Sequence, residues 1–312
     1  GGAERVWARL AAGFARRGDE VDFVVDFEAQ ENLRFLGQQA RLTVLPKGHA
    51  AAIAALAAHL RRRRPHASLS AISVSNLKHA FAAALVGRRD RAILSYHGFY
   101  ENERERLSNI GYRLTRPLSA MTATTVAVSE SLRSDLIVRF GVAPERVAKI
   151  LNPAAPDPFP PERTADEIAA RAPIVVAIGR LVPDKNFVGL VRAFARVQTP
   201  GARLRILGEG PMRGQLEALR SELGLADRVE LPGFTYDVSA DLVQARCFAL
   251  TSFKETFGLA CVEALACGLP CVVTACGGPQ EIIDGPELGA VVPVDDAAAL
   301  AAAVDAARQQ PG

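Results

Sequence analysis

Short apolar runs alternate with longer amphipathic stretches, and this alternation predicts strands that are each followed by a helix. In the second half of the chain the apolar runs lie at 174–178, 247–250 and 271–274, and 204–207 is apolar except for Arg205. Each run ends in Gly, Pro or polar residues before a helical pattern begins. Continuous apolar runs of this length are typical of strands buried on both faces of a parallel sheet. The pattern therefore predicts an α/β protein.

The first half shows the same alternation, beginning with a helix in which Val6, Leu10 and Phe14 recur at helical spacing and which ends at Gly18. A later amphipathic helix is predicted at 101–120. Strands are predicted at 21–27, 41–45, 67–73, 91–95, 124–128 and 146–151. A Pro-rich stretch from Asn152 predicts a linker. We therefore expect two Rossmann-like domains, 1–155 and 156–312, that face each other across a cleft.

The predicted first helix has no strand before it. A Rossmann domain is built outward from its first strand, which lies in the middle of the sheet. We therefore expect the first strand of the N-terminal domain to be missing, with an empty slot between strands 21–27 and 91–95. We also expect upstream residues of a longer reading frame to fill that slot.

A polar loop and a helix between the strands at 247–250 and 271–274 carry the main candidate chemistry. Glu255 lies in the loop, and Glu263 lies eight residues later in a helix predicted from about Phe257. The N–H groups at the start of that helix favour an anion, and Gly258 permits a close approach. This order of groups suits a sugar, a diphosphate and a ribose. The apolar face of the helix is expected to contain Val262, Leu265 and Ala266.

This stretch resembles the Glu-x7-Glu signature of the retaining GT-B glycosyltransferases of family 4, also called glycosyl transferases group 1. The resemblance implies a GT-B fold and a nucleotide-diphosphate sugar as the donor. It implies that Glu255 contacts the transferred sugar and Glu263 the ribose. The sugar-phosphate end of the donor would meet Thr256, Phe257, Gly258 and Leu259.

Other loops extend the resemblance over nearly the whole chain. Gly179-Arg180 and Lys185 resemble the family motif whose two cations hold the donor phosphates. His97 follows an N-domain strand, where related enzymes place a His that faces the reacting sugar. The predicted donor site also includes Gly2, which resembles part of a phosphate-side loop, and the loop residues Gly208 and Phe234. Three of these assignments have a simpler alternative. Arg180 and Lys185 could be solvated loop cations, and His97 could be an ordinary loop histidine. The residues at Gly2 could have been introduced by cloning.

Composition excludes several classes of protein. The chain has 312 residues, 49 % hydrophobic content and five Cys between 247 and 276. The Cys spacing has no CxxC pair, so a zinc site is not predicted, and buried thiols are. No apolar run is long enough to span a bilayer. The absence of Asp-x-Asp and of a Gly-x-Gly-x-x-Gly element argues against a metal-held diphosphate and a dinucleotide oxidoreductase.

Charge divides unevenly between the two halves. Residues 1–155 carry 23 Lys and Arg against 14 Asp and Glu, whereas the rest carries 14 against 20. A basic first half suggests an anionic partner. We expect a polyprenyl-diphosphate-linked sugar or a glycan as the acceptor, with the helix at 101–120 facing an anionic membrane surface. Its cations are Arg104, Arg106, Arg113 and Arg116. An ordinary packed helix is the alternative. No nucleic-acid partner is expected.

Together these patterns favour a metal-independent retaining glycosyltransferase that needs no cofactor. It would transfer a hexose or N-acetylhexosamine in the cytoplasm or at the inner membrane face. His97, Arg180, Lys185 and Glu255 are the candidate catalytic residues. A truncated, inactive nucleotide-sugar-binding fragment and a nucleotide-sugar epimerase or phosphorylase on the same fold stay open as alternatives.

Overall fold

The computed structural model describes the backbone of residues 2–28, 35–102, 106–153, 160 and 164–307. Contacts divide the chain into two compact units, Gly1–Pro153 and Ala154–Gly312. We call these unit 1 and unit 2. Most of the Pro-rich linker predicted from Asn152 onward lies outside the described residues.

Unit 1 alternates strands and helices, as the apolar pattern predicts. Its described strands are β1 (Asp22–Val25), β2 (Arg41–Val44), β3 (Ser68–Ala71), β4 (Ala92–Tyr96), β5 (Thr124–Ala127) and β6 (Val147–Lys149). Its described α-helices are α1 (Gly2–Arg16), α2 (His49–Arg63), α3 (Ser73–Leu85), α4 (Arg106–Arg113), α5 (Thr115–Met121) and α6 (Glu130–Val138).

The described strands of unit 1 form two separate parallel sheets. One contains β1 and β2, and the other has the order β3-β4-β5-β6. The prediction that strand 91–95 borders an empty slot is wrong, because β4 pairs with β3 on one side and β5 on the other. Among the described strands, β3 and β6 are therefore the two edges of the four-stranded sheet.

Ion pairs connect β1 and the residue that follows it to two helices of unit 1. The carboxylate of Asp26, just after β1, lies 2.6 Å from the ammonium of Lys78 on α3. The side chain of Lys78 is only 8 % exposed. Asp22 lies 2.7 Å from the guanidinium of Arg63 on α2. A two-stranded sheet is marginal by itself, so these contacts help to hold it on the helices.

The single helix predicted at 101–120 is wrong, because the structure breaks it into α4 and α5 at Leu114. Pro117 lies in the first turn of α5, where it lacks the N–H that would continue the hydrogen-bond ladder from Arg113. The predicted apolar stripe is divided too: Leu118 is buried, whereas Ile110 is 46 % exposed. Arg104 lies outside the described residues.

Unit 2 contains one six-stranded parallel sheet. Its strands are β7 (Ile174–Ile178), β8 (Arg203–Leu207), β9 (Val229–Gly233), β10 (Cys247–Leu250), β11 (Cys271–Thr274) and β12 (Gly289–Val292). Its described α-helices are α7 (Ala165–Ala169), α8 (Phe187–Phe194), α9 (Arg213–Glu222), α10 (Ser239–Leu242), α11 (Leu259–Ala266), α12 (Gly278–Ile282) and α13 (Ala297–Ala307). The strand order is β9-β8-β7-β10-β11-β12.

Successive residues of the central strand β7 pack into two apolar layers, one on each face of this sheet. Val175 contacts the layer that includes Leu190 of α8 and Val304 of α13. Val176 contacts the opposite layer, which includes Cys261 of α11. Burial on both faces explains why β7, β10 and β11 are continuous apolar runs. The prediction of buried thiols is confirmed, because all five Cys are buried.

Candidate functional site

The chain reverses its direction of travel across the sheet of unit 2 between β7 and β10. From β7 the chain continues to β8 on one side, whereas β10 leads to β11 on the other. In open parallel sheets, ligands bind beyond the carboxyl ends of the strands at this switch point. The loops that follow β7 and β10 therefore form the expected position of a site.

Hydrogen bonds fix these two loops against each other. The hydroxyl of Thr251 donates to the carbonyl of Lys185 across 3.0 Å. The backbone N–H of Phe253 donates to the carbonyl of Asp184 across 2.9 Å. The side chain of Asn186 caps α8 by accepting from Gly189 across 3.1 Å. These contacts position the short helical turn Pro183–Lys185 beneath the loop after β10.

Lys185 and Glu255 form an ion pair at this junction. Both side chains are partly enclosed, with 26 % and 20 % exposure. The backbone of Glu255 is tied to the loop after β11, since its N–H donates to Cys276 and its carbonyl accepts from Gly278. The ion pair is therefore positioned by the loops that follow β7, β10 and β11. Arg180 is exposed, and the structure brings Lys185 rather than Arg180 to Glu255.

The helix after this loop begins at Leu259, two residues later than predicted. Gly258 occupies the N-cap with φ 89°, a left-handed conformation that glycine adopts without strain. No side chain caps this end, and the first N–H groups of a helix attract anions. Thr256 and Phe257 are buried beneath the loop. The predicted anion-binding geometry is thus available at α11.

The buried face of α11 is not the predicted one. Val262, Leu265 and Ala266 are only partly buried, whereas Cys261, Glu263 and Ala264 are buried. Small side chains on this face allow α11 to lie close to β10 and β11. Glu263 is 6 % exposed. Its carboxylate therefore lies on the buried face of α11, and the ribose contact expected from the family resemblance stays a prediction.

Two further predicted donor residues lie at the ends of β8 and β9. Gly208 has φ 143°, and a Cβ there would lie 1.9 Å from the carbonyl oxygen of Gly179. Only glycine permits this approach of the loops after β7 and β8. Phe234 is 60 % exposed, and its ring meets that of Tyr236 edge to face at 4.8 Å. The predicted donor site did not include Tyr236, although this second aromatic residue lies only two positions after Phe234 in the same loop.

The remaining predicted residues belong to unit 1. Gly2 is the first residue of α1 and is exposed. His97 follows β4, and its Nε2 lies 3.0 Å from the indole nitrogen of Trp7 and 2.9 Å from the hydroxyl of Ser95. Burial lowers the pKa of His97 to about 4, although the Glu4 carboxylate acts in the opposite direction. His97 is therefore neutral near pH 7.

Two other features are absent from the part of the chain that the structure describes. Within it, no three His, Cys, Asp or Glu side chains are grouped so as to hold a metal ion. None of the helices in the described ranges is both long and apolar enough to cross a membrane.

Comparison with protein families matches both halves of the chain. The Glycosyltransferase Family 4 model matches residues 1–157, and the Glycosyl transferases group 1 model matches residues 159–311. The chain belongs to the family 4 glycosyltransferases. The resemblance inferred from the Glu-x7-Glu stretch is thereby confirmed at the level of the family.

Curated family 4 relatives share part of the sequence. The lipopolysaccharide core biosynthesis glycosyltransferase LpsD of Rhizobium meliloti is 36 % identical over 155 residues, which are 49 % of this chain and 45 % of LpsD. The lipopolysaccharide core biosynthesis glycosyltransferase LpsE of the same organism is 35 % identical over 144 residues, 46 % of this chain and 42 % of LpsE. The matches thus span less than half the length of both relatives.

Solved structures show that the fold is GT-B. HepE from Anabaena, in complex with UDP, superposes with a TM-score of 0.81 at 20 % identity, covering 98 % of this chain and 86 % of HepE. The lipopolysaccharide outer core galactosyltransferase WaaB gives a TM-score of 0.75 at 19 % identity, covering 98 % of this chain and 86 % of WaaB. The predicted fold class, α/β with two Rossmann-like domains, is confirmed.

Proposed function

We propose that this chain is a retaining glycosyltransferase that transfers a hexose or N-acetylhexosamine from a nucleotide-diphosphate sugar. The carrying observation is the Lys185–Glu255 pair at the switch point of unit 2, next to the uncapped N-terminus of α11. It supplies a cation, anion-binding amides and a carboxylate at adjacent strand ends. Unit 2 is accordingly the donor-binding domain, and unit 1 the acceptor-side domain.

The same geometry supports a division of roles within the donor site. The cations Lys185 and Arg180 and the amides of Phe257, Gly258 and Leu259 would bind the diphosphate. Glu255 would accept hydrogen bonds from sugar hydroxyls, and the buried Glu263 from the ribose. Gly208, Phe234 and Thr256 complete the proposed donor site. The solved complexes of HepE contain UDP and, in one case, UDP-glucose, which supports a nucleotide-sugar donor.

We expect the reaction to be independent of a metal ion because positively charged groups of the chain are proposed to bind the diphosphate. In the transition state, negative charge develops on the leaving phosphate, and preorganised donors stabilise it. Lys185, Arg180 and the α11 amides could supply this stabilisation without a metal ion. We propose that the reaction needs no cofactor and proceeds with retention at the transferred carbon.

We propose that the acceptor is a glycan or a polyprenyl-diphosphate-linked sugar at the cytoplasmic membrane face. The motivation is the basic first half, whose exposed α4–α5 cations include Arg106, Arg113 and Arg116. One family 4 relative, from Campylobacter jejuni, acts on a diphospho-undecaprenol-linked acceptor according to its name, and is 33 % identical over 163 residues. That relative supports the chemical class of the acceptor.

Donor binding and turnover test this proposal directly. Thermal shift with UDP, GDP and ADP should reveal stabilisation by one nucleotide, since a ligand that binds only the folded state raises its melting temperature. Labelled sugar nucleotides, supplied with a panel of acceptors, should then give a glycosylated product whose anomeric configuration matches the donor. Binding without any product would support the inactive-fragment alternative, and an isomerised donor the epimerase alternative.

Chelation tests the metal-free mechanism. Turnover should persist in EDTA. Lys185→Ala should lower kcat/KM by roughly 10²- to 10³-fold, which corresponds to a loss of about 3 kcal/mol of transition-state stabilisation, comparable to that of a lost oxyanion donor. Arg192→Ala is the matched control, because Arg192 is an exposed cation on the adjacent helix α8. Activity lost in EDTA and restored by Mg²⁺ or Mn²⁺ would contradict the mechanism.

A further inference from the structure

Four helices of unit 1 pack together, and we call them the α2–α5 layer. Leu60 of α2 and Ala83 of α3 belong to one apolar cluster. The hydroxyl of Ser73 at the start of α3 donates to the carbonyl of Ser108 on α4 across 2.7 Å, and α5 follows α4 directly at Leu114. The helix α3 is therefore flanked by α2 and α4, and only a narrow part of its circumference faces solvent.

The α2–α5 layer contains no acidic residue. Asp and Glu are absent from all four helices, whereas α2 has three Arg, α3 one Lys, α4 two Arg and α5 one Arg. Lys78 pairs with Asp26 beside β1, and Arg63 pairs with Asp22 of β1. The five other cations are exposed: Arg61, Arg62, Arg106, Arg113 and Arg116. The outer surface of the layer is therefore positively charged and attracts anionic partners.

Exposed apolar side chains share this surface with the cations. Phe81 and Leu85, one turn apart on α3, are 46 % and 71 % exposed, and Ile110 on α4 is also exposed. On α2, the exposed positions between His49 and Arg61 are all alanine. Folded proteins usually bury Phe and Leu. Because arginine carries its charge on a long apolar stem, the guanidinium groups can lie beyond these side chains while the stems lie beside them.

Three kinds of partner could meet a cationic surface, and its apolar residues distinguish between them. A symmetric second copy of this chain would bring two acid-free layers together, and like charges that face each other oppose association. A nucleic acid would pair with the arginines, but its phosphates and sugars offer no apolar partner for Leu85. A bilayer that contains anionic lipids offers phosphates to the arginines and hydrocarbon to Phe81 and Leu85.

We propose that the α2–α5 layer is a docking surface for an anionic lipid bilayer. Phe81 and Leu85 enter the boundary between headgroups and acyl chains, and the five exposed arginines contact lipid phosphates. This inference deepens the proposed function, which places the acceptor at a membrane face, by naming the residues that contact the membrane. None of these residues belongs to the proposed donor site, which lies in unit 2.

Binding of the full chain to vesicles separates the apolar contribution from the charges. The wild-type protein should float with vesicles of phosphatidylglycerol and phosphatidylcholine. Phe81→Ser with Leu85→Ser should weaken this binding roughly tenfold or more at any ionic strength, because it removes apolar area that the bilayer covers. Arg61→Gln with Arg62→Gln should weaken binding roughly tenfold at low ionic strength. That second difference should shrink as added salt screens the charges.

Val138→Ser is the matched control for an exposed apolar side chain. Val138 is 84 % exposed on α6, a helix that carries Glu130 and Asp135, so its replacement should leave vesicle binding unchanged. Thermal melting without lipid checks that each variant is folded. The docking surface would be overturned by equal losses in Val138→Ser and in the α3 double variant, or by a wild-type protein that does not bind anionic vesicles.

Fluorescence from a tryptophan placed in the layer measures insertion without removing an apolar side chain. Leu85→Trp adds one fluorophore to Trp7, and vesicles with brominated acyl chains quench a tryptophan that reaches the hydrocarbon. Leu85→Trp should lose more emission on these vesicles than the wild type does, whereas Val138→Trp should match the wild type. Vesicle binding without the extra quenching would place Leu85 outside the hydrocarbon and contradict the proposal.

Two further measurements address the other partners. Size-exclusion chromatography without lipid detects a dimer, and a dimer that Phe81→Ser with Leu85→Ser converts to a monomer would assign the surface to a second copy instead. Polyuridylate serves as the nucleic-acid probe. If it binds through Arg61 and Arg62 more tightly than anionic vesicles do, the surface is a nucleic-acid interface and the lipid assignment is wrong.

Turnover with a water-soluble acceptor tests the proposed donor chemistry separately from docking. Turnover without vesicle binding would overturn the docking surface alone. Vesicle binding without turnover would overturn the proposed glycosyl transfer and leave the docking surface supported.

Discussion

At the scale of single residues, Lys185 and Glu255 form an ion pair in which each charge has an opposite partner. A bound diphosphate would compete for the ammonium of Lys185, because a phosphate carries more negative charge than a carboxylate. The carboxylate of Glu255 would then be free to accept hydrogen bonds from a sugar. We therefore expect donor binding to exchange one ion pair for another without leaving either charge unpartnered.

The two glutamates should have different kinetic roles. Glu255 is expected to contact the sugar as it distorts, so Glu255→Ala should mainly lower kcat, by roughly 10²- to 10³-fold if its loss resembles that of a transition-state donor. Glu263 is expected to bind the ribose equally before and during reaction, so Glu263→Ala should mainly raise the donor KM. Steady-state kinetics with varied donor measures both.

Controls for this comparison have to address stability, since Glu263 is buried. Thermal melting of both variants checks that the fold is retained, and Glu263→Gln keeps the volume and part of the hydrogen bonding. If both alanine variants change only KM, the assignment of Glu255 to the reacting sugar is wrong.

Sequence motifs were enough to propose most residues at this scale because the proposed chemistry is local in the chain. Glu255, Gly258 and Glu263 lie within nine consecutive residues, and Lys185 lies in a short loop motif. The contact of Trp7 with His97 spans 90 positions. It depends on how α1 and β4 pack, so local periodicity carries no signal for it.

At the scale of elements, the start of α11 depends on the left-handed backbone of Gly258. An alanine there would meet two penalties, because left-handed φ costs roughly 1–2 kcal/mol for a residue with a Cβ and that Cβ would lie 3.0 Å from Pro279. Gly258→Ala should therefore lower the free energy of unfolding. It should also weaken donor binding, since the amides at the start of α11 would no longer point toward the proposed diphosphate position. Urea denaturation and calorimetry measure the two effects.

Gly214 provides the matched glycine control. It lies in α9, its φ is not positive, and a Cβ there has no neighbour within 4 Å. Gly214 is the second residue of α9, so Gly214→Ala should raise the free energy of unfolding by less than the roughly 0.5–1 kcal/mol gained in a helix interior and leave donor affinity unchanged. Equal effects of the two substitutions would show that the Gly258 conformation has no special role.

Element types followed from the apolar pattern, whereas element ends and faces needed tertiary information. The buried runs of unit 2 predicted its strands because both sheet faces are covered. The break at Leu114 was missed although Pro117 was visible, since amphipathic spacing continues through it. The face of α11 was also mispredicted. Its small residues Cys261 and Ala264 are fully buried, whereas the larger Leu265 packs at the margin of the same core and is only partly buried.

At the scale of the whole molecule, buried neutral histidines predict acid sensitivity. Burial lowers the pKa of His79 to about 4 from an ordinary 6.5, and the same cause acts on His97. Between these pH values the unfolded chain binds protons that the folded chain does not. The contribution of these histidines to the free energy of unfolding should therefore be fully present above pH 6.5. It should decrease as the pH drops toward 4, by up to about 3 kcal/mol for His79.

Substitution of His79 isolates this contribution. His79→Gln cannot titrate, so the dependence of unfolding free energy on pH should flatten in that variant. His66→Gln, at an exposed histidine, should leave the dependence unchanged. Urea denaturation followed by circular dichroism across this pH range measures the slope. Identical slopes in the wild type and His79→Gln would contradict the prediction.

The basic first half also predicts a response to anionic lipid. Arg106 and Arg113 are exposed on α4 beside the exposed Ile110. An arginine near an anionic surface contributes about 1 kcal/mol, so neutralising both to Gln should weaken vesicle binding roughly tenfold or more. Flotation with vesicles containing phosphatidylglycerol measures binding.

The control removes the same charge from the acidic half. Arg196→Gln with Arg203→Gln changes two exposed cations of unit 2 and should leave vesicle binding unaffected. Binding that is equal on vesicles of pure phosphatidylcholine would count against an electrostatic interaction with the membrane.

The contact between Trp7 and His97 has an optical consequence as well. Trp7 is the only tryptophan in the sequence, and its ring lies edge to face against the imidazole. A protonated imidazole quenches indole emission more strongly than a neutral one. The tryptophan emission of this chain, excited separately from its four tyrosines, therefore reports on unit 1 alone, and its intensity reports the charge of one histidine without any added label.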